Sequence, residues 1–487
     1  MPALTSSDRE FLSKVYASAT LNPFSVERLS TDAAAIGLGG SIQSFSHVPD
    51  LIAKLGRRLA ATLPPGGPSW RSFEAGDALL LEAGILFHVF HSHAPALDDY
   101  IHAQSESTGA PLPAEAAASV FADLRARGFT QAAAERYVAV IFQLRRAFFF
   151  ISTGLLGECE SMRRLRMDVW NAIFTGDLRL YLESLWNRMD DFSVLLLGET
   201  GTGKGAAAMA IGRSNYIPYN SQRRAFAENF NDAFLSINLS EFSESLIESE
   251  LFGHVKGAFT GAIGNHDGIF SRCSRHGAIF LDEIGDVSEH VQIKLLQVLQ
   301  QRIFSPVGGH ATLRFGGRVI AATNKDLAAL RADGAFRNDF YYRLSSSRIT
   351  LPTLRQRIAE DRGELAFMLR EIVHRIVGTP DDTLAGYIAR RFAEGLPADY
   401  QWPGNVRELE QAVRSVLVSG NYGGETPQAA PGMAIPREIA EILNGEMTLD
   451  ELEAWYCRHL HSRFGTYGEV ARRLGVDWRT VKQKIGN

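Results

Sequence analysis

The sequence predicts a parallel α/β domain that binds nucleotide in the middle of the chain, an all-helical domain before it, and two short basic helices at the end. Three observations carry this. Apolar residues in 1–160 recur only at helical spacing; from about 190 short apolar runs alternate with helical stretches; and residues 470–487 hold five basic side chains against one acidic. A chain of 487 residues is long enough for two to four domains, each with its own core.

Composition removes several classes. Hydrophobic residues make up 45%, charged residues 22%, and the formal net charge is −5, so any surface for nucleic acid has to be local. Cys159, Cys273 and Cys457 lie far apart with no CxxC spacing, which suits a reducing cytoplasm and leaves no disulfide framework or zinc site. The start, MPALTSSDREFLSKVY, lacks the basic and apolar regions of a signal peptide. The most apolar run, Tyr137 to Gly157, is about long enough for a bilayer, but Arg145 and Arg146 sit at its centre at a cost of several kcal/mol each. It reads as a core or dimer helix, with no membrane segment expected and a cytoplasmic location.

In the N-terminal domain, expected over 1–160, helical periodicity covers SDREFLSKVYASA, VPDLIAKLGRRLAATL, SFEAGDALLLEAGILFHVF, AEAAASVFADLRARG and TQAAAERYVAVIFQLRRAFFF. His88, His91, His93, Asp98, Asp99 and His102 crowd one stretch, and His88 and His91 share a helical face as metal ligands do. Pro95 is expected to interrupt that helix, and structural or solvated histidines are the favoured reading. Regulation by a ligand, a partner protein or self-association is the expected role, with a helical run from Tyr137 through Trp186 available to transmit the signal.

The next element is a strand, FSVLLL, followed by Gly198, Glu199, Thr200, Gly201, Thr202, Gly203, Lys204 and Gly205 and then the helix AAAMAI. This is the setting of a P-loop: glycines let backbone N–H groups surround phosphate at a helix N-terminus, and Lys204 adds a point charge. Gly205 stands where the general motif has a Ser or Thr hydroxyl for Mg²⁺. The strand AIFLDEIGD delivers Asp282 and Glu283 to a carboxyl-terminal strand edge, with Asp282 expected to hold Mg²⁺ and Glu283 to polarise the attacking water. Between these lies GHVKGAFTGAIGNHDG, whose glycines argue against a packed element and for a moving loop.

Residues from about 190 to 415 resemble the AAA+ domain of bacterial enhancer-binding proteins, the ATPases that activate sigma-54 RNA polymerase. ESELFGHVKGAFTGA, GAIFLDEIGDVS, QIKLLQVLQ, RVIAATN, FRNDFYYRL and WPGNVRELE occur in that family's order. The resemblance implies a domain over 161–420 with a helical lid at about 351–420, ATP and Mg²⁺ as cofactors, and a ring, a hexamer, in which subunits complete each other's sites. It implies that Gly257, Ala258, Phe259, Thr260, Gly261 and Ala262 contact sigma-54. It further implies that Asn238 restrains Glu283, that Thr323 and Asn324 sense the γ-phosphate, that Arg337 and Arg343 act as arginine fingers, and that Arg407 is the lid's sensor. Val255 departs from the family's usual acid, and residues 215–233 lengthen the connection after the P-loop helix.

A Gly- and Pro-rich stretch, 421–446, reads as a linker. In 447–487, GEVARRLG, a turn at Gly475 to Asp477 and WRTVKQKI have helix-turn-helix spacing and a local charge of +4. Arg472, Arg473, Trp478, Arg479, Thr480, Lys482, Gln483 and Lys484 are the candidate contacts to double-stranded DNA. The segment resembles the factor-for-inversion-stimulation type of helix-turn-helix. Together these lead to a sigma-54-dependent, ATP-hydrolysing activator bound upstream of its promoter. A remodeller of another protein, or a repressor using ATP only to assemble, stays open.

Overall fold

The computed structural model describes residues 2–38, 47–424 and 447–486, and falls into two compact units, Met1–Gly423 and Gly424–Asn487. Most of the expected linker, residues 425–446, lies outside the described residues.

The first unit opens with helices Ser6–Thr20, Val26–Ile36, Val48–Thr62, Ala75–Ser105, Glu115–Ala126, Gln131–Gly154 and Glu160–Phe174. Local chemistry sets their starts: Thr5, Ser25 and Thr130 each accept a backbone N–H of the first turn. One expectation fails here, because Ala75–Ser105 runs unbroken through Pro95. Proline removes one helical hydrogen bond, a cost of about 3 kcal/mol, but Ala94, Leu97 and Ile101 around it are buried. Burying one Leu or Ile returns about 1.5–3 kcal/mol, so packing outweighs propensity. The run from Tyr137 to Trp186 is likewise not one helix; it breaks at 155–159 and 175–177 and ends in a π-helical turn, Tyr181–Leu185.

Five strands follow: β1 Val194–Leu197, β2 Phe234–Asn238, β3 Ala278–Asp282, β4 Arg318–Thr323 and β5 Ser347–Thr350. They form one parallel sheet in the order β2-β3-β4-β1-β5. Because side chains alternate along a strand, each buried strand feeds two cores. Val194, Leu196, Phe280 and Ile320 face a core shared with the N-terminal helices, while Leu195, Ile279, Leu281 and Val319 face helix Glu289–Gln301. The lengthened connection at 215–233 carries a small hairpin that pairs Tyr219 with Phe226.

Two buried arginines tie the N-terminal helices to the rest. Arg318 donates to the carbonyls of Phe192 (2.9 Å) and Ala172 (2.6 Å), and Arg146 to those of Arg213 (2.8 Å) and Asn215 (2.7 Å). Arg145, which argued against a membrane helix, pairs with Asp98 at 2.6 Å. Among the described residues no helix is long and apolar enough to cross a membrane.

The lid consists of helices Leu354–Glu360, Glu364–Val377, Asp382–Gly395 and Asn405–Ser419 around Leu369, Ile388 and Leu409. The second unit holds helices Leu449–Phe464, Tyr467–Leu474 and Trp478–Ile485 around Cys457, Val470, Ala471 and Val481.

Candidate functional site

The carboxyl-terminal edge of the sheet gathers the predicted site, as expected for open parallel sheets. The P-loop leaves β1 and enters helix Lys204–Gly212. Gly201 has φ +79°, and a Cβ there would collide with the Gly404 carbonyl oxygen of the lid, so both backbone conformation and close approach demand glycine. Lys204 is only 7% exposed, and its Nζ donates to the carbonyls of Gly198 (2.9 Å) and Glu199 (3.2 Å). Burial pushes its pKa down, helped by Arg407, while Glu283 and Asp282 pull it up. Its ammonium thus donates to two carbonyls with the two carboxylates further off, a fit for phosphate oxygens. Thr202 is buried and its hydroxyl donates to the Glu199 carbonyl at 2.8 Å.

Asp282 ends β3 in register with Asn238 of β2. The next residue, Glu283, has φ +54°, an uncommon conformation for a residue with a side chain, which costs on the order of 1–3 kcal/mol and concentrates at functional sites. Its amide donates to Asp282 Oδ1 (3.0 Å), and its Oε2 accepts the Asn324 amide (3.2 Å). Asn324 Nδ2 in turn donates to Thr200 Oγ1 at 2.9 Å, joining the end of β4 to the P-loop. Thr323 is fully buried, its hydroxyl accepting the Lys325 amide at 3.1 Å.

The other predicted residues stand apart. Asn238 does not hold Glu283: its side chain accepts from Ser240 and donates to Glu241 at 3.0 Å, so the expected restraint is absent here. Arg337 pairs with Asp339 (2.9 Å) and Glu289 (2.8 Å). Arg343 donates to the Leu299 carbonyl at 2.7 Å, so both arginines are engaged away from this chain's own P-loop. Arg407 is exposed.

The loop after helix Glu244–Phe252 starts from a pinch: a Cβ on Gly253 would lie 2.8 Å from the Gly268 amide nitrogen, and one on Gly268 would strike the Gly253 amide. Beyond it the Gly257 amide donates to the Ala262 carbonyl (2.9 Å), and Gly257 and Gly261 have φ +82° and +105° with open space around them. Phe259 is 37% exposed, its ring edge-on to His254 at 5.0 Å, and His254 is bonded to Ser249 of the preceding helix at 2.7 Å. Thr260 is exposed, Ala258 half-buried and Ala262 buried.

In the C-terminal unit Gly475 (φ +66°) ends one helix and Asp477 caps the next by accepting the Arg479 amide at 2.8 Å. Arg479, Thr480, Lys482 and Gln483 are exposed, and Trp478 is 48% exposed. Arg472 and Arg473 both pair with Glu469. Lys484 is taken up by Asp450 and Glu453, both at 2.7 Å, which raises its pKa. Of the four histidines of the N-terminal cluster, His93 meets Asp123 at 3.3 Å and His102 packs edge-on to Phe149, while His88 and His91 share a pocket beside Gly56, where burial pushes His91 down to about 3.

Two groups went unsingled in the sequence. Asn405 is fully buried at φ +55°; its Oδ1 accepts the Leu354 amide (2.8 Å) and its Nδ2 donates to the Thr200 carbonyl (3.0 Å) and Glu199 Oε2 (3.2 Å). Arg355 pairs with the same Glu199 at 2.8 Å. Both clasp the lid onto the P-loop. The only signal was the asparagine after WPG, a residue that tolerates left-handed backbone. Ile263, 86% exposed beside the loop tip, is the other.

A parallel sheet with a P-loop, a polar asparagine at the end of the neighbouring strand, paired carboxylates at the end of the next, and a helical lid defines a nucleotide-binding domain of the AAA+ type. The model of the family described as Sigma-54 interaction domain matches residues 183–350. The transcriptional regulatory protein ZraR of Klebsiella oxytoca is 37% identical over 340 residues, 68% of each chain. The Nif-specific regulatory protein of Klebsiella pneumoniae is 44% identical over 347 residues, 68% of this chain and 58% of that one. The nitrogen fixation protein VnfA of Azotobacter vinelandii is 37% identical over 314 residues, 60% and 54%. The chain belongs to the sigma-54-dependent enhancer-binding activators. It spans 54% to 63% of the length of the first relatives it matches.

Proposed function

We propose that the chain activates transcription from sigma-54 promoters by hydrolysing ATP in a ring, held at an upstream DNA site by its C-terminal helices. The observation that carries this is the convergence of Lys204, Asp282, Glu283 and Asn324 at one sheet edge, with the Phe259 loop rooted on the helix that follows Asn238.

Backbone amides of the P-loop and Lys204 would bind the phosphates. Asp282 is the residue to hold Mg²⁺, which supplies charge neutralisation on the phosphates; Gly205 brings no hydroxyl, so Asp282 carries more of that task. Glu283, its Oε2 held by the Asn324 backbone amide, aligns water as general base while the Asn324 side chain leaves Thr200 Oγ1 for the γ-phosphate. Arg337 and Arg343 serve a neighbouring subunit's ATP after exchanging their present partners, a contribution worth on the order of 10³ to 10⁵ in rate where fingers are measured. A change at Asn238 and Glu241 passes through helix Glu244–Phe252, then Ser249 and His254, to the Phe259 ring. Phe259 and Thr260 then grip sigma-54, an apolar tip being a partner contact. Arg479, Thr480, Lys482 and Gln483 would meet base edges or phosphates.

The test is capture of sigma-54 by the purified chain with ADP and aluminium fluoride bound. Phe259→Ala and Thr260→Ala are expected to abolish capture and leave ATPase within about twofold. Undiminished capture by both variants, or active ATPase with no capture by the unaltered chain, refutes the reading and favours another protein target.

A further inference from the structure

A cavity among the N-terminal helices, with no P-loop residue in its lining, has a volume of about 630 Å³. That falls in the range of sites for small organic ligands. Its walls are mostly apolar, with Phe87, Phe90, Phe148 and Trp170 as the largest surfaces, and Leu79 stands half exposed at its rim. Four guanidinium groups border it against two carboxylates, Glu82 and Glu183. Three of the four are satisfied: Arg28 by Asp32, Arg145 by Asp98 and Arg179 by Asp177. Arg136 alone has no carboxylate partner among the described residues; it lies 4.9 Å over the Tyr137 ring, whose hydroxyl donates to Glu82 at 2.9 Å.

The cavity wall is wired to the nucleotide domain. Helix Gln131–Gly154 presents Tyr137, Val140, Leu144 and Phe148 to the cavity, while on its other face Gln143 donates to the Ser214 carbonyl (2.8 Å) and Arg146 holds those of Arg213 and Asn215. These three carbonyls belong to the residues that directly follow the P-loop helix. Leu178, Leu182 and Glu183 form another part of the wall, and Tyr181 between them donates to Gln143 Oε1 at 2.6 Å. That π-helical turn, a feature frequent at functional sites, is joined to β1 through residues 186–193, which include a short 3₁₀ turn at Met189–Asp191.

We infer that this cavity is an effector site for a small aromatic molecule bearing one anionic group, received by Arg136, and that its occupancy is read by the P-loop helix through Tyr181 and Gln143. The regulatory half rests on the ATPase reading above; the binding half does not.

The probe is anilinonaphthalenesulfonate, an aromatic anion of fitting size, with phenylnaphthylamine as the same skeleton lacking the sulfonate. The full chain is expected to bind the sulfonate saturably at one site, about tenfold more tightly than the neutral dye, as one charged hydrogen bond allows. Arg136→Gln brings the two dyes within about twofold. Ala83→Trp and Ala19→Trp, which fill the cavity from different helices, each weaken binding at least about tenfold while helical circular dichroism is kept; should one misfold, the other decides. Equal affinity for both dyes in the unaltered chain, or full binding to a folded filled variant, overturns the site. For regulation, the sulfonate is expected to change ATPase at least about twofold, and Tyr181→Phe to remove that change with dye affinity retained. Active ATPase indifferent to bound dye overturns the regulatory half, whereas dye binding to a chain without any ATPase counts against the proposed function alone.

Discussion

Replacing Asn405 by alanine tests the claim that the lid is clasped onto the P-loop by one buried amide. The substitution strands the fully buried Leu354 amide and removes the donor to the part-buried Thr200 carbonyl. The orphaned buried amide costs roughly 1–3 kcal/mol, and the carbonyl, which water can reach, adds about 1 kcal/mol at most. Alanine at φ +55° adds about 1–2 kcal/mol, since it lacks the local hydrogen bonds that let asparagine occupy left-handed backbone. Together the closed lid loses about 3–5 kcal/mol, allowing for partial relaxation. Hydrogen exchange reads this directly: amides of residues 198–205 and 354–360 are expected to exchange on the order of 10² to 10³ times faster, at about tenfold per 1.4 kcal/mol. Asn405→Gly, which removes the side chain without adding alanine's backbone strain, falls between. Protection unchanged within about threefold in Asn405→Ala would refute the clasp.

Glu283→Gln keeps the size and loses the base; turnover is expected to drop on the order of 10² to 10⁴-fold while a fluorescent ATP analogue still binds. His91, held down to about 3 by burial, is neutral in the folded and unfolded chain above its ordinary value of 6.5. Below that the unfolded chain takes the proton first, so stability falls as pH drops from 6.5 toward 3, at no more than about 1.4 kcal/mol per pH unit. His91→Leu should flatten the melting temperature between pH 6.5 and 4; an equally steep profile sinks the assignment. In DNA binding, Arg479→Ala and Lys482→Ala should each reduce the slope of log K against log salt by about 0.9. Lys484→Ala should change it least, since Asp450 and Glu453 already neutralise it; the reverse order refutes that arrangement.

Much of this molecule is local in origin and therefore written in the chain. Glycines and a lysine between a strand and a helix make a P-loop wherever they fold, and β1 to β4 are apolar runs long enough to be seen without partners. The strand β5, four residues ending in Thr350, offered too little periodicity, and its place beside β1 comes from pairing. Helix Val26–Ile36 was missed for a similar reason: its Ser, Thr and Asp dilute the pattern, and it stands by packing and a Ser25 cap.

Sequence by itself supplied the candidate inventory: which carboxylates, which lysine, which loop tip. Tertiary structure decided their partners. Pro95 stays helical because neighbours bury its flanks; Asn238 turns to Glu241 instead of Glu283; Lys484 is spent on Asp450 and Glu453; Asn405 becomes the hinge pin of the lid. The cavity bordered by Arg136 belongs to no single segment. The reason is physical: hydrogen bonds and packing act over a few ångströms of space, and residues 51 or 206 positions apart, as Asn405 is from Leu354 and Glu199, become neighbours only when the chain has folded.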